Sequence, residues 1–126
     1  MSPHTPKSGK DFWGPAVWQT IHSFAAAYKP SPSTFKAFKD MIWAFTELLP
    51  CDFCRANLVK KLNAHPPDSY LNSNDDLFLW TYLIHDMVNV HISKYHPEKP
   101  KISPCYDDVK SLYFNALGKE CSDCKI

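Results

Sequence analysis

The sequence predicts an all-α fold, a compact bundle of four to five helices without a sheet. Three observations carry this. Apolar residues recur at spacings of three and four along several stretches, the period of a helix with one buried face. Prolines and polar capping residues fall between those stretches, where helices stop and start. No run alternates apolar and polar residues as a half-buried strand would. At 126 residues the chain reads as one domain around one core.

Residues 1–11 read as a flexible N-terminal arm, polar and without the apolar run of a secretory signal. The domain proper spans 12–118. Its first helix starts at Phe12 and places Trp13, Val17, Trp18, Ile21, Phe24 and Tyr28 on one stripe, with Pro15 tolerated in the first turn. Lys29-Pro30-Ser31-Pro32 ends it, and Ser33 reads as the cap of the second helix. Phe35, Phe38, Ile42, Phe45 and Leu48/Leu49 form that helix's stripe up to Pro50. Pro50 suits the opening of a third helix, with Cys51 and Cys54 in its first turn and Val59 and Leu62 inward.

His65-Pro66-Pro67 breaks the third helix, and a polar loop runs to residue 73. The fourth helix reads from Asp75 to His91, with acids in its first turn and Lys94 suited to its last, as the helix dipole favours. Its broad apolar face makes it central. Pro97 and Pro100 open another loop, and Pro104 to Leu117 supports a fifth helix with Val109, Leu112 and Tyr113 inward. Gly118 reads as its stop. Residues 119–126 read as a mobile polar tail.

Fourteen Lys and Arg against thirteen Asp and Glu, scattered along the chain, argue against nucleic acid or an anionic membrane as partner. No stretch approaches the roughly 18–20 apolar residues of a membrane span. Of five cysteines, Cys51 and Cys54, and Cys121 and Cys124, form two C-x-x-C pairs, leaving Cys105 over. Without an export signal such pairs read as catalytic or metal sites before staples. At a helix start the unpaired N–H groups and the dipole favour thiolate, and Arg55 and Lys60 add positive charge. Zinc is the rival, with His65 and His85 as further ligands. The two pairs lie farther apart than a structural zinc site usually allows, so no metal site is expected. A thioredoxin-type fold would need strands.

Two helices carry polar interruptions. Gly14, Trp18 and His22 fall at i, i+4 and i+8 on the first, and His85 and Asn89 at i and i+4 on the fourth. Buried without partners, such groups cost roughly 1–3 kcal/mol each. Either they bond one another between helices, or they receive a polar ligand such as a nucleotide; two interruptions on two helices favour the ligand. A redox dithiol yields two electrons together, whereas ground-state oxygen takes pairs slowly, and a flavin bridges that mismatch.

At this point three motifs together resemble a known family. Trp13-Gly14-Pro15-Ala16-Val17-Trp18-Gln19-Thr20-Ile21-His22 resembles the W-G-x-x-x-W-x-x-x-H opening of the Erv/ALR-type FAD-linked sulfhydryl oxidases. Leu49-Pro50-Cys51-Asp52-Phe53-Cys54-Arg55 resembles their P-C-x-x-C centre. His85-Asp86-Met87-Val88-Asn89, followed by Lys94, resembles their H-N-x-V-N-x-x-x-x-K segment. The resemblance implies a helical bundle holding FAD, as a homodimer, that oxidises protein dithiols to disulfides with O2 as acceptor and H2O2 as product. Cys54 would lie against the flavin ring and Cys51 would take the incoming thiol. Gly14, Trp18 and His22 would line the FAD site, and His85, Asn89 and Lys94 would contact its adenosine and phosphates, with Trp80 and Tyr95 as further candidates. The tail pair Cys121–Cys124 resembles the family's shuttle disulfide. Substrates would be thiol proteins or a thioredoxin-like relay protein.

Two departures stand out: Asp86 replaces the usual Asn, and Tyr82 stands where many members carry the first cysteine of a structural disulfide. Cys105 is then free or pairs between chains. Small viral members also lack that staple, which favours virus-infected cytoplasm or the virion as location, with the mitochondrial intermembrane space as alternative. A small zinc-binding interaction module and a cofactor-free disulfide relay remain the competing functions.

Overall fold

Five α-helices and one short 3-10 turn make up the computed structural model, which describes residues 7–118. They are α1 Lys10–Ala26, α2 Pro32–Leu48, α3 Asp52–Ala64, the 3-10 turn Pro67–Tyr70, α4 Asn74–Tyr95 and α5 Tyr106–Leu117. The all-α expectation holds, and among the described residues there is no strand. No helix among them is long and apolar enough to cross a membrane.

Helix α4 is the central element. It packs along α1 on one side and against the 3-10 turn on another, while α5 crosses α1 and α2 pairs with α3. Leu77, Phe78, Trp80 and Ile84 of α4 meet Ile21 and Ala25 of α1 in the core. Phe78 is fully buried, with its ring against Tyr106, Tyr113 and Phe114. Burial of a side chain that size contributes about 2–3 kcal/mol. Ser73 caps α4 by accepting from the Asp76 N–H at 3.0 Å, worth about 1 kcal/mol. The next residue, Asn74, donates from Nδ2 to the Ala26 carbonyl at 3.0 Å, so the start of α4 satisfies the end of α1.

Several boundaries differ from the sequence reading. α1 begins at Lys10, inside the expected arm, because Gly9 turns there with φ 57° and its carbonyl accepts from the Phe12 and Trp13 N–H groups. Ser31, not Ser33, caps α2, with Pro32 at the first helical position where its fixed φ is favourable. Pro50 lies before α3 rather than opening it, and Cys51 is the N-cap. α5 starts at Tyr106. Gly118 has right-handed geometry, φ −77°, and is suited to its place by close approach: a Cβ there would meet the Phe114 carbonyl oxygen at 2.8 Å. Phe24 and Leu112, expected inward, are exposed.

The segment 101–105 returns along α4 and is tied to it at three levels. Ser93 Oγ accepts from the Lys101 N–H at 2.8 Å and donates to the Lys101 carbonyl at 3.1 Å. Ser103 bonds Asp86 and Asn89. Tyr82 donates its hydroxyl to the Pro104 carbonyl at 2.6 Å.

Candidate functional site

The thiol pair is built by the turn between α2 and α3. Leu49 leaves the helix, its carbonyl accepts from the Cys51 N–H at 2.8 Å, and Cys51 is held extended, φ −166°. Cys51 and Cys54 are joined as a disulfide with Cα atoms 5.2 Å apart. Cys51 Sγ also accepts from the Cys54 N–H at 3.1 Å, so a sulfur serves as the helix cap. Both cysteines are half-buried. Arg55 turns back to donate to the Leu49 carbonyl and pairs with Asp52. Its charge is therefore offset by a neighbouring carboxylate, while the helix terminus places partial positive charge at the sulfurs.

Phe53, between the cysteines, stacks on His91 of α4 with centroids 5.4 Å apart, and Tyr95 closes the group at 4.6 Å from His91. His91 Nε2 is buried with no hydrogen-bond partner. Burial first, then Lys61, Lys94, Lys10 and Lys60, push the imidazole below its usual range. Cations from three helices thus converge beside an aromatic group and an unpaired polar atom next to the disulfide. Sequence reading named Lys94 and Tyr95 but missed His91 and Phe53.

The second cluster lies between α1, α4 and α5. Trp18 lies flat on His85, centroids 3.9 Å apart and planes within 6°. His22 Nε2 and His85 Nδ1 are 3.0 Å apart, and His22 Nδ1 is 3.0 Å from Thr81 Oγ1. Burial, then the neighbouring His85, lowers His22 to about 4; burial also takes His85 to about 4 against the opposing pull of Asp86. Both rings are therefore neutral near pH 7. Thr81 already donates to the Phe78 carbonyl at 2.7 Å, so its oxygen accepts from His22. His22 Nε2 then accepts from His85 Nδ1, which leaves His85 Nε2 as an acceptor. Of the two alternatives for these polar stripes, the helices do bond one another, and a cavity adjoins the bonded side chains.

That cavity, about 200 Å³, is lined by His22, His85, Asn89, Ser103 and Tyr113 among others. It brings together His22, His85 and Asn89 of the expected site residues. Trp18 joins them through its stack. Gly14 is half-buried with nothing within 4 Å of a side chain's first atom. Trp80 lies apart. It is five positions, about 140° around the helix, from His85, buried at 2 % exposure, and donates to the His65 carbonyl at 2.9 Å. It faces a separate cavity of about 250 Å³ with Leu83, Ile84 and Met87. Cys105 is exposed and makes no disulfide with the other described cysteines. Cys121 and Cys124 lie outside the described residues. Among the described residues no three His, Cys, Asp or Glu side chains are placed to share a metal ion.

The chain is similar to known proteins in sequence and in fold. The chain is 32% identical over 84 residues to the FAD-linked sulfhydryl oxidase of African swine fever virus (isolate Tick/Malawi/Lil 20-1/1983), covering 65% of this chain and 69% of that one. It is 32% identical over 85 residues to a probable FAD-linked sulfhydryl oxidase of Acanthamoeba polyphaga mimivirus, covering 65% and 59%. With the FAD-linked sulfhydryl oxidase ERV1 of Arabidopsis thaliana it shares 26% over 87 residues, 68% and 44% of the two chains. In fold it is similar to the crystal structure of the yeast Erv1 core, with a TM-score of 0.68 at 21% identity and 90% of each chain covered. The model of the Erv1 / Alr family matches residues 15–107, a span holding the disulfide and both polar clusters. The chain belongs to the Erv1/Alr family.

Proposed function

We propose that this protein is an FAD-linked sulfhydryl oxidase, converting two substrate thiols and O2 into a disulfide and H2O2. The observation that carries the reading is the Cys51–Cys54 disulfide at a helix N-terminus, beside an aromatic surface on α4 that lysines of α1, α3 and α4 surround. The residues fit FAD: His91 Nε2 is an unpaired buried atom, and Lys10, Lys60, Lys61 and Lys94 stand near it to meet a diphosphate. When bound, FAD supplies the two-electron acceptor chemistry that joins a dithiol to oxygen.

The cysteines then have separate tasks. A substrate thiolate attacks Cys51 Sγ, the Cys51–Cys54 bond breaks, and Cys54 leaves as thiolate in the first turn of α3. A second substrate thiolate attacks the substrate sulfur of the mixed disulfide, and Cys51 leaves with its charge met by the Cys54 N–H. The chain is left with a dithiol carrying the electron pair, and Cys54 is the cysteine that would face FAD. Substrates of this class are protein dithiols or a thioredoxin-like relay protein.

Purified protein is expected to be yellow, with a flavin absorption spectrum and no stoichiometric zinc; a colourless, zinc-loaded preparation would sink the reading. The Cys121–Cys124 pair serves as a shuttle in this scheme, since a tethered disulfide raises its effective concentration at the active pair. Replacing both with serine should slow oxidation of a reduced protein substrate severalfold while leaving dithiothreitol oxidation near its original rate. Oxidation of both substrates at the wild-type rate after that change rules the shuttle out.

A further inference from the structure

Two hydrogen-bond chains of fixed direction end on the wall of one cavity. The first runs from the Phe78 carbonyl through Thr81 and His22 and leaves His85 Nε2 as an acceptor. The second starts from Asp86. An aspartate carboxylate offers only acceptors, so Ser103 donates its hydroxyl to Asp86 Oδ1 at 2.7 Å. The Ser103 oxygen then accepts from Asn89 Nδ2 at 3.0 Å. With its amino group committed to Ser103, Asn89 presents Oδ1 from the other side of the amide. His85, Asn89, Asp86 and Ser103 all line the same cavity.

At about 200 Å³ that cavity suits one heteroaromatic ring system rather than a whole dinucleotide. No residue of α3 lines it. The reacting ring of a bound flavin would have to meet a cysteine sulfur at the start of α3, which would leave the opposite end of the dinucleotide to reach this cavity. We propose that Asp86 and Ser103 are positioning residues that make the cavity select a base with an exocyclic amine, adenine over hypoxanthine. The inference rests on the flavin-binding reading above. An amine brings two N–H donors to a wall whose residues keep two acceptors uncommitted, His85 Nε2 and Asn89 Oδ1. A 6-oxo group would set lone pairs against lone pairs. Asparagine at position 86 would offer both an acceptor and a donor. It would let the Ser103 hydroxyl reverse and the Asn89 amide turn over.

The test is equilibrium titration of the flavin-free full chain with FAD and with flavin hypoxanthine dinucleotide, read by quenching of flavin fluorescence. The wild type should prefer FAD by about tenfold. In Ser103→Ala and in Asp86→Asn the preference should fall to about twofold or less, while Ser103→Thr, which keeps the hydroxyl, should retain it. A merely structural role would weaken both dinucleotides by the same factor and leave the ratio intact, which overturns the proposal. So does a wild-type ratio near one. A wild type that binds neither dinucleotide overturns the flavin reading itself, and the proposal with it. Asp86→Asn changes no side-chain volume and keeps the test available should Ser103→Ala fail to fold.

Discussion

Cys54→Ser is expected to bring oxygen consumption with dithiothreitol to background, a loss of more than about a thousandfold, with Cys51→Ser doing the same. The reason is stoichiometric. A lone thiol offers no disulfide for a substrate thiolate to attack and cannot take up the electron pair of a dithiol, so turnover does not begin. Stability should change far less. Closing so short a loop restricts the unfolded chain by about 2 kcal/mol at most, and serine at position 51 is a better helix cap than the sulfur it replaces. Cys51→Ser should therefore keep its helical circular dichroism and lose only a modest part of its urea midpoint. Retention of a tenth of the wild-type oxygen consumption in either variant would remove the pair from the mechanism.

Acid should destabilise the fold well above the range of ordinary carboxylates. His22 and His85 are lowered from 6.5 to about 4 in the folded chain, first by burial. Between those values the unfolded chain binds more protons than the folded one, so stability is complete above about pH 6.5 and drains as pH falls through 4. One such shift corresponds to about 3 kcal/mol. His85 keeps some solvent contact and the two rings share one hydrogen bond, so about 3 kcal/mol for the pair together is the expected loss. Urea midpoints at pH 7, 5.5 and 4.5 check this. A midpoint constant from pH 7 to 4.5 would mean that both rings are free to protonate in the native state.

The helices and their order were legible because each has an apolar stripe and proline or polar punctuation. The start of α2 was misjudged by two residues, since Ser31-Pro32-Ser33 offers two serines and only the proline's preference for the first helical position decides between them. The cysteine pair and the His22, His85 and Asn89 stripes could be read from spacing alone. Thr81 lies one turn before His85 and could have been found as a third polar residue on that face. Ser103 could not: it sits in an irregular segment, and periodicity says nothing about which loop residue returns to a helix. His91 was hidden by its spacing from His85, which places it on another face of α4, toward α3. Trp80 reads as an aromatic near the site and proves a core residue for the same reason.

Helix α4 carries both polar clusters, His85 and Asn89 toward α1 and α5, His91 and Tyr95 toward α3. Along one rigid helix their separation is set by residue count, about 1.5 Å and 100° for each position. Inserting or deleting a single residue between Asn89 and His91 would swing one cluster about 100° away from the other and uncouple them. Descendants of this sequence can therefore lengthen the connection at 96–100, but the interval from His85 to Tyr95 has a fixed length.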